Sequence, residues 1–229
     1  FNAAEADYEV FGSGAFGDFE IDDFDAVWVA DYQQDNFNRA WNENLEWFEE
    51  WVDGGGALYH GTGTNNWNVV PIHPGGLRRA QVGEAGVEVV VAPEDNYWIE
   101  LNEWEEGFVF VSNNAAHASF NLDDLDEIEN SDWFQVICEL QNNGNPEIVT
   151  YGYGRGTCTV TGTTDGWMWN NGNPRNEYGA VGLQNMLYYL EFLANAIQWL
   201  AYEPDMGGLE PEQDMEIFVT LDATGLFGG

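Results

Sequence analysis

The sequence predicts an α/β domain with a mainly parallel open sheet flanked by helices, and three stretches carry that prediction. Residues 45–76 read as an amphipathic helix, a glycine stop, a short apolar strand and a glycine-rich loop. Residues 26–30, AVWVA, are a strongly apolar run of strand length. Residues 183–200 repeat Leu183, Met186, Leu187, Leu190, Leu193, Ala194, Ile197 and Leu200 on one helical face.

Taken in order, residues 1–7 read as the last turns of a helix, 8–11 as a short strand and 12–19 as a glycine-rich loop. After the 26–30 strand, Asp35 or Asn36 caps a helix that runs to Val52. Within it Leu45, Phe48, Trp51 and Val52 lie opposite Glu46, Glu49 and Glu50. Gly54, Gly55 and Gly56 stop this helix, because glycine enters a left-handed C-cap without steric cost. Residues 57–60 form a strand too short to be other than buried and central. The loop 61–76 leaves its carboxyl end, where open α/β sheets bind ligands.

Residues 87–92 read as another strand, and 97–101 as an alternating strand that pairs with 107–111. Residues 113–120 read as a loop, and 121–130 as an acidic turn or short helix. Three strands follow at 133–140, 147–151 and 157–161, the first two joined by a hairpin turn at Asn142–Asn145, where Asn and Gly tolerate positive φ. A loop rich in Trp and Asn spans 165–178. Beyond Pro204 the composition turns linker-like, and 215–221 alternates as a strand. There is no internal repeat.

The chain has 229 residues, with 41 acidic and five basic side chains, giving a formal charge of −36. The five are Arg39, Arg78, Arg79, Arg155 and Arg175; lysine is absent. Hydrophobic residues make up 44%, with 11 tryptophans, enough to exclude disorder and to assign the charge to a solvated surface. Such a surface repels nucleic acid and anionic membranes. It suits high salt, where self-repulsion is screened, or cation binding. No run of eighteen apolar residues exists, so no transmembrane helix is expected. The first residue is Phe1, which points to a piece of a longer precursor.

The phrase DGGGALYHG, followed by a loop ending HPGG, resembles the central unit of class I glutamine amidotransferase-like domains, and is most similar to their ThuA-like (trehalose-utilisation) branch. The run NPEIVTYGYGRGTCTVTGT resembles the late strands of that branch, and NAIQWLAY its terminal helix. The resemblance implies a flavodoxin-like, amidotransferase-like sheet over residues 1–203. It also implies a first strand and helix that would precede Phe1. The phrase VTLDATGLFGG resembles secreted immunoglobulin-like repeats, so 204–229 is expected to be a linker and the first strands of a β-sandwich module. A lone strand there must pack back on the main domain, be disordered, or pair with another chain.

Catalytic members of the family place a cysteine on a sharp turn after the central strand. Here Tyr59 or His60 holds that place, so no catalytic residue is assigned and glutamine hydrolysis is not expected. Cys138 and Cys158 fall within strands; they are either a disulfide of a secreted protein or two buried free thiols. The three histidines, His60, His73 and His117, are candidate ligand-binding residues. With Asp31 or Asp165 they are suited to a metal or acid–base site. The preferred alternative is polar loop residues bonded to backbone. Trp67, Trp167 and Trp169 lie among asparagines in loops and fit a glycan surface, a protein contact or simple loop packing. Asp123, Asp124 and Asp126 are candidate calcium ligands, set against a solvated acidic face. No other cofactor is expected.

The expected function is a non-catalytic structural or binding domain of a larger secreted or cell-surface protein from a high-salt setting, its partners being other domains or chains of that protein. The alternatives are a ThuA-like domain that binds or processes carbohydrate, and a subunit of an extracellular assembly completed by strands from neighbouring chains.

Overall fold

The computed structural model describes residues 7–31, 33–63, 68–80, 85–116, 118–131, 133–163 and 216–220. The helix expected at 183–200 and the Trp- and Asn-rich loop lie outside them. The described residues form a nine-stranded mixed sheet, consistent with the α/β class. Its strands are β1 (Asp7–Phe11), β2 (Ala26–Val29), β3 (Ala57–Gly61), β4 (Ala85–Val89), β5 (Val109–Ala116), β6 (Phe134–Leu140), β7 (Pro146–Tyr153), β8 (Gly156–Thr161) and β9 (Glu216–Thr220). The spatial order is β1-β9-β2-β3-β8-β7-β6-β4-β5.

The five strands from β1 to β8 in that order are mutually parallel. The four pairings from β8 to β5 are antiparallel. The expected mainly parallel sheet is therefore half antiparallel. Short connections decide two of these pairings, β6 with β7 and β7 with β8: Asn142–Asn145 and the turn at Gly154 reverse the chain tightly, with Gly144 at φ 68° and Gly154 at φ 58°. A parallel pairing needs a crossover of a dozen or more residues, which neither turn has.

Strand β9 corrects a second expectation. Residues 216–220 do form a strand, but its partners are β1 and β2 in the same sheet, not a separate sandwich. Of the three fates open to it, packing back on the main domain is the one observed.

The helix expected to run from residue 35 to 52 is two helices, α1 (Asp35–Glu43) and α2 (Leu45–Asp53). Asn44 breaks it, at φ −111° and ψ 14°. Its side-chain amide donates to the Ala40 carbonyl at 2.8 Å, closing α1, while its own carbonyl accepts from Trp47 and Phe48 to start α2. Residues 97–101 form a helix, α3 (Tyr97–Leu101), not a strand. The side chain of Asn96 accepts from the Ile99 amide at 3.2 Å, an N-cap that outweighs the strand-like alternation. Residues 109–116 are strand β5, paired with β4, where a loop was expected over much of the range. The acidic stretch contains α4 (Leu122–Asp126).

The main core lies on the α1/α2 face of the sheet. It joins Val27, Val29, Leu58, Val149, Cys158 and Val160 to Phe37, Trp41, Phe48, Trp51 and Val52 of the helices, with Phe16 and Ile21 from the β1–β2 connection. Each such side chain contributes about 1.5–3 kcal/mol by leaving water. On the opposite face Trp28 and Tyr59 stack at 3.7 Å, with Trp98 of α3 edge-on to Tyr59 at 6.4 Å.

A candidate site at the carboxyl ends of the parallel strands

The parallel strands bring the ends of β2, β3 and β8 to one edge. His60 is in register with Val29 on one side and Val160 on the other. Alternation then points His60 at α1 and Tyr59 at α3. Accordingly the His60 ring meets Trp41 of α1, with centroids 4.5 Å apart. Gly61 follows, and it has to be glycine: a Cβ there would lie 2.9 Å from the Asp31 backbone nitrogen. The absent side chain lets the loop after β2 close against β3 and sets Asp31 beside the site.

His73 reaches the same place from the loop. Residues 68–76 are bound to the helices by side chains spaced along one face of α1. Asp35 accepts from the Asn68 amide, the Asn68 side chain and the Val69 amide at 2.8–3.2 Å. Asn38 donates to the Val69 carbonyl at 3.0 Å. Asn42 both donates to the Val70 carbonyl and accepts from the Ile72 amide, at 3.0 and 2.9 Å. The Trp41 indole donates to the Ile72 carbonyl at 2.7 Å. Beyond His73, the Gly75 amide donates to Glu49 of α2 at 3.0 Å, and the Tyr151 hydroxyl to the Pro74 carbonyl at 2.8 Å. These bonds hold the Asp35 carboxyl below its usual range, the Asn68 side chain contributing most.

The result is an imidazole pair. The rings of His60 and His73 meet edge to face at 4.7 Å, and Phe120 flanks His73 at 6.1 Å. Both are buried, at 1% and 0% exposure. Burial drives the His60 pKa well below its normal value, and proximity to His73 lowers it further. Burial alone takes His73 down to about 3. Both rings are neutral at pH 7. His60 Nδ1 and both ring nitrogens of His73 have no hydrogen-bond partner among the described residues. The same holds for the buried atoms Gln33 Oε1, Asn38 Oδ1 and Ser119 Oγ. Thr62, after β3, is also buried and donates to the Thr161 carbonyl at 2.8 Å.

The structure therefore brings together three of the residues singled out in the sequence, His60, His73 and Asp31, at one sheet edge. His117, Asp165, Trp67, Trp167 and Trp169 lie outside the described residues. Asp123, Asp124 and Asp126 sit on α4, where Asn121 donates to Asp124 at 3.2 Å. Among the described residues no group of three or more His, Cys, Asp or Glu side chains is placed to hold a metal. Zinc takes three or four protein ligands, so the imidazole pair alone falls short. Cys138 and Cys158 are free thiols, each fully buried, so the disulfide alternative is excluded. They stand in β6 and β8, separate strands with β7 between them. Burial pushes both thiols up; Glu147 and Glu139 push Cys138 further, while the neighbouring Tyr151 hydroxyl opposes the rise at Cys158. Sequence reasoning missed Gln33, Asn38 and Trp41. The spacing Asp35, Asn38, Asn42 on one helical face was the available signal for the loop strap.

No family model matches the chain, and no curated protein sequence matches it. Among solved structures it is similar to cytoplasmic protein STM3548 from Salmonella typhimurium, with 19% identity over 80% of this chain and 74% of that one, at a TM-score of 0.44. It is similar to cytoplasmic protein STM1381 from Salmonella typhimurium LT2, with 14% identity over 86% of this chain and 78% of that one, at a TM-score of 0.45. A third likeness is to a β-galactosidase from Rahnella sp. R3, with 13% identity over 80% of this chain and 24% of that one, at a TM-score of 0.40. Likenesses of this size carry no argument about what the chain does.

Proposed function

We propose that this chain is a non-catalytic domain, structural or ligand-binding, of a larger secreted or cell-surface protein that works in high salt. Its scaffold is read as amidotransferase-like, of the ThuA-like kind, kept for its shape. The observation that carries this reading is the state of the two thiols. Cysteine chemistry needs a thiolate at an accessible turn with a base in reach. Cys138 and Cys158 are instead sealed in strand interiors, their thiols held protonated by burial. His60, the residue read in the nucleophile's place, lies within β3 itself, packed against Trp41 and His73. The charge of −36 supports the high-salt setting.

Thiol titration of the native protein with an aromatic disulfide reagent tests the reading, run beside an assay for glutamine and ester hydrolysis. No thiol is expected to react in the folded state, and two per chain after denaturation. A thiol that reacts in the folded state, together with hydrolysis lost in its Cys→Ser variant, overturns it.

A further inference from the structure

The segment that brings His73 to the sheet is held differently from the rest of the fold. Its aliphatic side chains, Val69, Val70 and Ile72, are half-buried and stay outside the main core, which Leu77 is the first to rejoin. Its bonds to other elements run to single side chains: Asp35, Asn38, Trp41 and Asn42 of α1, Glu49 of α2 and Tyr151 of β7. One backbone bond joins them, from the Glu129 amide to the Gly75 carbonyl at 3.0 Å. The bridge between Ile72 and Arg78 is local. Few apolar contacts, and bonds made one side chain at a time, mark a segment that opens without unfolding the whole.

We propose that residues 68–76 form an acid-released strap, which comes away from α1 and the end of β3 as the pH falls, while the sheet stays folded. The device is the imidazole pair beneath it. His73, carried by the strap, meets His60 of β3 edge to face at 4.7 Å, and both rings are sealed from water. His60 Nδ1 and both His73 nitrogens lack an acceptor or donor among the described residues, so an added proton has nowhere to be satisfied inside. Release uncovers the carboxyl end of β3, where open α/β sheets bind ligands. The inference goes beyond the proposed function and holds for a structural or a ligand-binding domain alike.

The groups around the pair decide the sign. A carboxylate against either ring would favour its charged form and let it protonate in place. Glu49 of α2 faces the strap but is engaged with the Gly75 amide. Glu147 shares the Tyr151 face of β7 by alternation, and Asp31 stands beside Gly61. None of these offsets the burial of the rings: burial lowers both, His73 to about 3, and His73 lowers His60 further. Tyr151 of β7 and Cys158 of β8 are pushed upward by burial and stay neutral. Arg39 of α1, and Arg78 and Arg79 beyond the strap, are fixed cations. Asp35 is held below its usual range, so its three bonds fail only in stronger acid. The closed form therefore binds fewer protons than the open one. Its advantage is whole above about pH 6.5 and shrinks as the pH falls. From pH 7.5 to 5, each freed ring multiplies the opening equilibrium about thirtyfold.

The test is native-state hydrogen exchange of the full chain at pH 7.5, 6 and 5 and fixed salt, with rates corrected for the intrinsic effect of pH. The readouts are the Ile72 and Gly75 amides, which donate to Asn42 and Glu49. They are expected to exchange through an opening more frequent than that of amides in β3 and β8 at every pH. Low denaturant should leave that opening unchanged, and it should grow at least about thirtyfold from pH 7.5 to 5. His73→Leu, an apolar side chain in place of the ring, is expected to cut the growth by about thirtyfold. The parent series decides alone should that variant not fold. Strap and strand amides that exchange together at all three pH values, or a separate strap opening that does not grow in acid, overturn the proposal. Neither outcome bears on the thiol titration, and a thiol reactive in the folded state would leave the strap standing.

Discussion

His73 lies edge-on to His60, centroids 4.7 Å apart, and neither ring reaches water. An imidazole held neutral by burial binds its proton more weakly in the folded chain than in the unfolded one. Its folded pKa is below the unfolded value of about 6.5, so its contribution is complete above that pH and is lost as the pH falls. For His73 the window extends from about 6.5 down to about 3. Each ring should then cost up to about 1.4 kcal/mol of stability per pH unit on acidification. Denaturant unfolding at pH 7.5, 6.5 and 5.5 should show that steep loss, and His73→Leu should flatten it. An unchanged slope in the variant would mean that the ring is not buried neutral.

Tyr151 fixes the loop that delivers His73. Its buried hydroxyl donates to the Pro74 carbonyl at 2.8 Å, from a strand far along the sequence. Tyr151→Phe keeps the ring and removes one bond, leaving the carbonyl unpaired, so a loss of about 1–3 kcal/mol is expected. Hydrogen exchange should quicken at Ile72 and Gly76 before it does so in β7. A variant as stable as the parent would show that the carbonyl finds another donor.

The strap along α1 gives a second handle on the same loop. Asn42 alone bridges Val70 and Ile72, making two bonds with one side chain. Asn42→Ala should cost about 1–3 kcal/mol, since each bond contributes about 0.5–1.5 kcal/mol. Asn36→Ala, six residues earlier and exposed, should cost little; its side chain accepts from Arg39 on the surface. Thermal melts of the two variants side by side measure the difference, and equal melts would remove the strap as the loop's anchor.

What could be read from the sequence, and what could not, divides along local and distant causes. The strand at 57–60 was legible because a triple-glycine stop and a loop bracket four apolar-facing residues. The Asn142–Asn145 turn was legible because its residues tolerate the backbone it needs. Residues 97–101 misled because YWIEL alternates like a strand, while the signal that decides, the Asn96 cap, is a single side chain. Asn44 breaks the long helix without any proline or glycine to announce it. The meeting of His60 with His73 depends on side-chain bonds to loop backbone, which carry no periodicity. The position of β9 depends on pairing with strands some 190–210 residues away in sequence, as the registers Ala26–Ile217 and Asp7–Glu216 show.

Strand β9 offers the most direct test of the architecture. It pairs on both sides, with β1 through Asp7–Glu216 to Phe11–Thr220 and with β2 through Ala26–Ile217 to Val29–Thr220. Proline removes a backbone donor and does not fit an interior strand. Phe218→Pro, in the middle of β9, should therefore destabilise the chain by about 3 kcal/mol or more and expose the edge of β2, whose four residues are all buried. Aggregation at modest concentration should accompany it, because a bare apolar edge recruits other strands. Glu212→Pro, before the strand begins, is the matched control. If both variants melt like the parent, β9 does not hold β1 and β2 together.

Salt should act on this chain more than on most. With 41 acidic side chains against five arginines, self-repulsion opposes the compact state at neutral pH. At 0.1 M ionic strength the screening length is about 10 Å, and at 1 M about 3 Å, shorter than most gaps between surface charges. Raising KCl from 0.1 to 2 M at pH 7.5 should raise the melting temperature steadily. Potassium acetate, which also screens, separates charge relief from anion effects when compared with KCl at equal ionic strength. Acid works in two directions: protonating surface carboxylates relieves the same repulsion, while charging His60 and His73 breaks the core. At low salt the stability maximum should therefore lie on the acid side of neutrality, and at 2 M KCl it should move up in pH as the relief loses its value. A maximum that stays fixed across salt would show that the surface charge does not limit folding.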